Sequence, residues 1–371
     1  MRICHVSDSH LGAGEGHARR GASGLTLRQE DIINSFVTAV DEIIKLKPDV
    51  CIHSGDLFHV VRPLNRIMAI AGEQLHRLAS EAGIPTVIIS GNHDAPKQPY
   101  IGAALEVYQH IKNLYISSGT RLQTFDIADT RFFALPHCLT TQIQKDELGK
   151  CLPDSSKRHN VLIMHGVAAG MPEFSMADLG EQELPIDLME NFDYTALGHF
   201  HNYCKVAERS YYAGSTERLS QSERESPKGF VEVTLQPFKV NFHEVPCRQM
   251  VDLTPIDARG QRGDELAALL KDKLSELDSS DKIVRVKVSG VTEETLKTIP
   301  ADIIADLKQK SFALDISFEK QKNGQESTGF GRSAIGRLDS EFLRFLEAVD
   351  LKGFDSERLR KMALTYLSEE E

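Results

Sequence analysis

The chain is poor in the features that mark secreted, membrane-spanning or nucleic-acid-coating proteins. Its six cysteines among 371 residues are scattered, with no CxxC pair, which argues against a disulfide framework and fits a reducing compartment. Cys4 and Cys51 fall inside apolar strand-like runs and read as small buried hydrophobes. No stretch approaches the ~18 consecutive apolar residues of a membrane helix, so no membrane partner is expected. No basic-then-apolar leader precedes the first strand-like run, and a cytoplasmic protein is the expectation. Positive charge is short as well: 43 Lys and Arg against 54 Asp and Glu leave a net charge of −11. Coating nucleic acid relies on neutralising phosphates with Lys and Arg, so this balance suits a subunit whose partner supplies part of any such surface. There is no Gly-x-x-x-x-Gly-Lys-Ser/Thr loop, so ATP hydrolysis is not expected of this chain.

What is present is ample apolar material, 41% of residues, on a chain too long for one typical domain. Strand-like and helical runs alternate through the first half, as in α/β construction. Arg2–Val6 reads as a strand. Leu27–Leu46 carries apolar residues at helical spacing (Ile32, Ile33, Phe36, Ala39, Val40, Ile43), with Pro48 just beyond its end. Strands at Val50–His53 and Thr86–Ser90 flank a helix at Ile67–Ala82, and Asn113–Ser117, Arg131–Leu135, Val161–Met164 and Tyr194–Leu197 continue the series. From Tyr211 the chain turns β-rich. The expected fold is therefore two packed sheets flanked by helices over residues 1–246, then a small α+β cap over 247–320. The cap pattern is strand, helix (Asp264–Leu277), strand, helix (Thr292–Gln309), strand. A polar, glycine-bearing stretch at 321–333 reads as a linker. Residues 334–371 read as two amphipathic helices, Asp339–Leu346 and Ser356–Leu367, with enough apolar surface to dock on a partner.

Five short segments each close an apolar run: Asp8-Ser9-His10, Gly55-Asp56, Gly91-Asn92-His93-Asp94, His165-Gly166 and Gly198-His199-Phe200-His201. Each is weak alone, since Gly-Asp after a strand is often only a turn and a lone histidine is usually a satisfied one. Together they place carboxylate, amide and imidazole groups at strand ends, where open α/β folds carry their chemistry. Side chains two apart in extended chain point the same way, so Asp8 with His10, and His199 with His201, are expected to converge. Oxygen and imidazole donors without thiolate suit Mn²⁺, Fe or Zn²⁺ in an open site rather than a structural zinc cage. Enough donors are present for two neighbouring ions, and the chemistry they suit is cleavage of a phosphate ester.

In this order the motifs resemble those of the calcineurin-like metallophosphoesterases: D-x-H, G-D, G-N-H-D/E, H and G-H-x-H. The words Ser7-Asp8-Ser9-His10-Leu11-Gly12 and Gly55-Asp56-Leu57-Phe58-His59 with Arg62-Pro63 look like the double-strand-break repair nucleases of the SbcD and meiotic-recombination-eleven type. The resemblance is strong over the catalytic domain and extends to the cap and tail by layout only. It implies a two-sheet sandwich with Asp8, His10 and His201 on one metal, Asn92, His165 and His199 on the other, and Asp56 bridging. It further implies that His93 is a catalytic histidine off the metals, with His59 a second one nearby, and that the two ions are Mn²⁺. The implied activity is exonuclease and single-strand endonuclease action on DNA in double-strand-break repair. The implied assembly is a homodimer whose C-terminal helices dock on an SbcC-type, SMC-like ATPase. Two positions depart from the pattern: Ser9 stands where bacterial members carry Trp, and His137 where a Tyr commonly follows the Pro.

Arg19, Arg20, Arg28, Arg62, Arg66 and Lys97 lie near the motifs and are candidates to touch DNA, although each taken alone reads as a solvated charge. His5 and His17 read as structural. Two other functions remain open: a phosphodiesterase or phosphatase for small esters on the same scaffold, and a DNA-end-tethering scaffold in which cleavage is secondary.

Overall fold

A computed structural model describes residues 1–98, 100–169, 182–321 and 360. Strands β1 (Arg2–Val6), β2 (Val50–His53), β3 (Thr86–Ile89) and β4 (Leu114–Ser117) are joined by helices α1 (Leu27–Leu46) and α2 (Asn65–His76) and a short turn of 3-10 helix at Ala104–Tyr108. Then come β5 (Gln123–Ile127), β6 (Thr130–Leu135), α3 (Thr141–Leu148), β7 (His159–His165), the short pair β8 (Val167–Ala168) and β9 (Glu183–Leu184), and α4 (Ile186–Met189). Strands β10 (Tyr194–Gly198), β11 (Cys204–Ala207), β12 (Ser210–Tyr212), β13 (Gly229–Leu235) and β14 (Phe238–Glu244) complete two six-stranded sheets. Their orders are β14-β13-β1-β2-β3-β4 and β11-β12-β10-β7-β6-β5. The central strands of each sheet run parallel, and antiparallel hairpins close three of the four edges.

Alternation along the strands explains the layering, because neighbouring side chains face opposite sides of a sheet. Ile3, Val50, Ile52, Val87 and Ile89 of the first sheet meet Phe132, Ala134, Val161, Ile163, Tyr194 and Ala196 of the second in a core between the sheets. The alternate residues Cys4, Cys51 and Ile88 face Ile32, Phe36, Ile43, Ile67 and Leu75 on α1 and α2. On the far side, Phe133, Leu135, Leu162, Met164 and Leu197 pack against Met189 of α4, with Ile143 and Leu148 of α3 at the margin. The expected α/β sandwich is thus the one observed, with Cys4 and Cys51 buried as small hydrophobes.

Helix α1 has the bounds its periodicity gives. Thr26 Oγ1 accepts from the Gln29 N–H while Gln29 Oε1 accepts from the Thr26 N–H, at 3.1 and 3.0 Å; this reciprocal cap satisfies donors that the first turn leaves free. Helix α2 differs from expectation: it starts at Asn65 and widens after His76 into a π-helical turn, Arg77–Glu81. Strand β5, helix α3 and strand β11 carry no pattern that would have revealed them. In β5 only the last of five residues is buried, so an edge strand of this kind shows no alternation.

From Met250 a separate four-stranded sheet begins: β15 (Met250–Asp252), β16 (Ile256–Asp257), β17 (Ile283–Val291) and β18 (Ala313–Lys320). Helix α5 (Gly263–Ser275) packs Leu266, Leu270 and Leu274 on Val284, Val286 and Val288. The single helix expected over Thr292–Gln309 is two, α6 (Glu293–Thr298) and α7 (Ala301–Lys310). Pro300 has no N–H and forces its predecessor out of helical backbone; Ile299 is extended, with ψ 124°. Residues 1–319 form one compact unit. The expected linker past Gln321 and both tail helices, apart from Arg360, lie outside the described residues.

Candidate metal centre

All five motif segments leave the C-terminal ends of parallel strands. Three follow β1, β2 and β3 in the first sheet, and two follow β7 and β10 in the second. The site therefore sits where two sheets end together rather than along one rim.

Convergence does not come from strand alternation, as the spacing of Asp8 with His10 suggested. Asp8, His10, Asp56 and His199 all have positive φ, at 49°, 45°, 55° and 105°. Left-handed backbone is costly for residues with a Cβ, and its recurrence at four candidate ligands shows a framework holding them in place. Two glycines make room. Gly55 has φ 106°, and a Cβ there would overlap Nδ1 of His165. A Cβ on Gly91 would overlap Oδ1 of Asp56 and stand 2.6 Å from Cε1 of His165. The carboxyl of Asp94, buried in the same turn, accepts the N–H of Gly91 at 2.6 Å and that of Phe58 at 3.3 Å. Burial and then the charge of Asp56 push this carboxyl up to about 8. Asp94 was legible as part of a motif, but its pinning of the turn was not.

The donor atoms form two groups that meet at one carboxylate. Nε2 of His10 faces Nε2 of His201 at 3.1 Å, and the donors of Asp8, His10 and His201 all lie within 4.8 Å of one another. In the second group, Oδ1 of Asn92 stands 2.9 Å from Nε2 of His165 and 3.1 Å from Nδ1 of His199. Oδ2 of Asp56 lies between the groups, 3.5 Å from Nε2 of His10 and 3.4 Å from Nε2 of His165. Donors about 2.1 Å from one ion, at angles between square and tetrahedral, stand about 3.0–3.4 Å apart. The donor set and its spacing fit two divalent cations.

The electrostatics of Asp56, His10 and His199 suit ligation, whereas His165 is held protonated in the metal-free site. Burial would raise Asp56, but His165 and His10 beside it hold its carboxyl well below the usual range. Burial pushes His10 far down and, with His165 nearby, takes His199 down to about 3; both are neutral at pH 7, as a ligating imidazole must be. Burial opposes protonation of His165, yet Asp56 raises it to about 9.

The other candidates separate into classes. His93 stacks on His59 with ring centroids 5.1 Å apart, its Nδ1 is 3.0 Å from the His59 carbonyl oxygen, and its N–H donates to Oδ1 of Asp56 at 2.9 Å. His59 also turns Nδ1 toward Nδ1 of His10, at 3.3 Å. Arg20, Arg62, Arg66 and Lys97 are exposed, with Lys97 Nζ donating to the Asn92 carbonyl at 2.6 Å. Arg19 is half-buried and donates to the Phe312 carbonyl at 3.3 Å, while Arg28 is buried between Asp31 and Glu217. His17 joins the same carbonyl of Phe312 at 3.0 Å, and His5 is buried between Tyr194 and Ser54; both fit the structural reading. The Ser9 hydroxyl lies 3.0 Å from Nε2 of His53. The backbone N–H of His137 donates to Ser90 at 3.0 Å, and its Nδ1 is buried with no hydrogen-bond partner among the described residues.

Comparison with known proteins bears on the same segments. Residues 1–203, more than half the chain, match the family model described as calcineurin-like phosphoesterase. The chain belongs to the calcineurin-like phosphoesterase family. Several curated relatives of this phosphoesterase carry the name DNA double-strand break repair protein Mre11. That of Sulfurisphaera tokodaii is 32% identical over 205 residues, covering 54% of this chain and 49% of the relative. That of Sulfolobus acidocaldarius is 26% identical over 309 residues, covering 78% and 75%. That of Methanococcus maripaludis is 30% identical over 251 residues, 62% of each chain. The matches thus span about half to three quarters of these relatives' lengths. The resemblance to the repair nucleases drawn from the motifs is the one these relatives display. Among the described residues no helix is long and apolar enough to cross a membrane.

Proposed function

We propose that this phosphoesterase is the nuclease subunit of a DNA double-strand-break repair complex, a Mn²⁺-dependent exonuclease and single-strand endonuclease of the cytoplasm. The observation that carries the reading is Asp56 Oδ2 standing 3.5 and 3.4 Å from the inner nitrogens of His10 and His165, with one donor group on each side. Asp8, His10 and His201 would hold one ion, Asn92, His165 and His199 the other, and Asp56 both. Two divalent ions there would supply charge compensation at a phosphate and a lowered pKa for an attacking water.

The chain's own residues do the rest. Asp56 has two carboxylate oxygens to share, and the His93 N–H fixes one of them. The carbonyl of His59 can only accept, so Nδ1 of His93 carries the proton between them. Nε2 of His93 is left to take up a proton and pass it to the leaving ribose oxygen. His59 backs that ring by stacking on it.

Residues 1–246 then form the nuclease domain, 247–320 a capping domain that borders DNA, 321–333 a linker and 334–371 a helical segment docking on an SbcC-type ATPase. Exposed Arg20, Arg62, Arg66 and Lys97 are the DNA contacts that placement favours, with half-buried Arg19 tied to the cap. A homodimer is supported by the apolar surface around α2. Val60, Leu64 and Val107 are 47%, 52% and 51% exposed, and Val107 lines a groove of about 340 Å³ together with Met68, Gly72, Tyr108 and Ile111.

The test is cleavage of end-labelled double- and single-stranded DNA with Mn²⁺, with Asp56→Asn and bis(p-nitrophenyl) phosphate run alongside. Cleavage of DNA that is lost in Asp56→Asn supports the nuclease. Hydrolysis of the small ester with DNA untouched, even with a candidate ATPase added, moves the reading to a small-substrate phosphodiesterase.

A further inference from the structure

Behind His201 lies a buried ion pair that the reaction as described does not use. Nδ1 of His201, on the ring edge away from His10, is 3.1 Å from Oε1 of Glu223. Oε2 of the same carboxylate accepts from Nζ of Lys228 at 2.6 Å. Lys228 is among the largest fully buried side chains, and its ammonium also donates to the backbone carbonyl of His201 at 2.7 Å. Ser220 Oγ and the N–H of Leu219 donate to the carboxylate at 2.9 and 3.2 Å. The pair thus grips His201 at two points, its ring and its backbone.

A buried lysine–glutamate pair is a poor way to stabilise a fold, since desolvating two charges consumes most of their attraction and apolar replacements often do as well. It does have one clear effect on the ring. A carboxylate accepts only, so it places the proton on Nδ1 and leaves the Nε2 lone pair facing His10 and Asp8, and it raises the basicity of that nitrogen. In the other group, Nδ1 of His165 meets the neutral carbonyl of Ser54 at 2.9 Å instead of a carboxylate.

We propose that Glu223 and Lys228 are positioning residues for His201, setting its tautomer and donor strength and so the affinity of the Asp8–His10–His201 group for a divalent cation. The proposal rests on the two-ion reading of the site. Neither residue stands in a recognisable motif: both fall in the polar stretch Ser222-Glu223-Arg224-Glu225-Ser226-Pro227-Lys228.

The test is calorimetric titration of the full chain with Mn²⁺ after chelator treatment, with thermal melting of the metal-free protein in parallel. Glu223→Leu/Lys228→Met removes both charges together and leaves no unpaired ammonium, so it is expected to fold, at a melting point lowered by the lost partners of Leu219, Ser220 and the His201 carbonyl. One of the two binding steps should weaken about 10–100-fold while the other stays within about twofold. An unaltered step in a folded double variant overturns the proposal and leaves the metal centre standing. His201→Ala is the companion: it should abolish the same step, and two intact steps in that variant overturn the site reading itself.

Discussion

His93 and His59 are locked to each other. Nδ1 of His93 bonds the His59 carbonyl at 3.0 Å and the two rings stack at an interplanar angle of 19°. The ring of His93 is thereby held beside the donor groups, a ring nitrogen lying within 4.8 Å of those of His10 and His59. His93→Ala is expected to retain its divalent metal, counted by metal analysis after gel filtration, while turnover of a phosphodiester substrate falls about 10²–10⁴-fold. Loss of metal together with activity would show that His93 belongs to the ligand shell.

Legibility in the sequence followed burial. Leu27–Leu46 could be bounded to the residue because one face of α1 is wholly buried, and the parallel strands could be found because both of their faces are. Strand β5 was invisible for the opposite reason, and helix α3, with the sequence TQIQKDEL, offers little apolar periodicity. The donor residues were legible as a set because five strand ends repeat one theme. How they converge was not, since alternation was the wrong mechanism and left-handed backbone at Asp8 and His10 the operative one. Contacts between distant segments, such as His201 with Glu223 or Arg19 with Phe312, leave no local trace at all.

Crowding around Gly91 makes a sharp prediction. The methyl group of Gly91→Ala would overlap Oδ1 of Asp56 and press on the Asp56 backbone nitrogen at 2.6 Å. Neither neighbour can retreat without moving a donor shared by both groups. The variant should lose about 1–3 kcal/mol of stability, read by urea unfolding, and bind Mn²⁺ weakly in both steps rather than one. Gly16→Ala, where nothing lies within 4 Å, is the control and should match the parent in both measurements.

Acid sensitivity should trace in part to His5. It is fully buried, with its two ring nitrogens 2.8 Å from Tyr194 Oη and from Ser54 Oγ. Burial, then the neighbouring His53, lowers it to about 3. The unfolded chain binds a proton at this ring near its ordinary pKa of about 6.5, whereas the folded chain does not until near 3, so acid favours unfolding throughout that window. Stability is full above pH 6.5 and declines as pH falls toward 3. With chelator present, the parent should lose about 2 kcal/mol more than His5→Gln between pH 7 and pH 5. Parallel stability curves for the two proteins would refute this.

The junction between the phosphoesterase sandwich and the small α+β sheet turns on Arg248. Its Nε and Nη2 each donate to Asp31 of α1 at 2.6 Å, and Nη1 donates to the Asp281 carbonyl at 2.6 Å. The flat of the guanidinium lies over the ring of Phe312, with Cζ 3.5 Å from the centroid, and Arg19 approaches the same ring at 5.4 Å. One side chain therefore ties α1, the loop before β17 and the residue before β18. A fork of two charge-assisted bonds combined with a stacked face is a geometry that lysine cannot reproduce. Arg248→Ala should cost about 1–3 kcal/mol, and Arg248→Lys should recover little of it. Hydrogen exchange is the discriminating measurement, because the loss should be local. Amides at 279–283 and 311–314 should exchange faster in both variants, while those of β1, β2 and β3 keep their protection. Equal acceleration across all of these strands would mean that Arg248 supports the whole unit and not the junction.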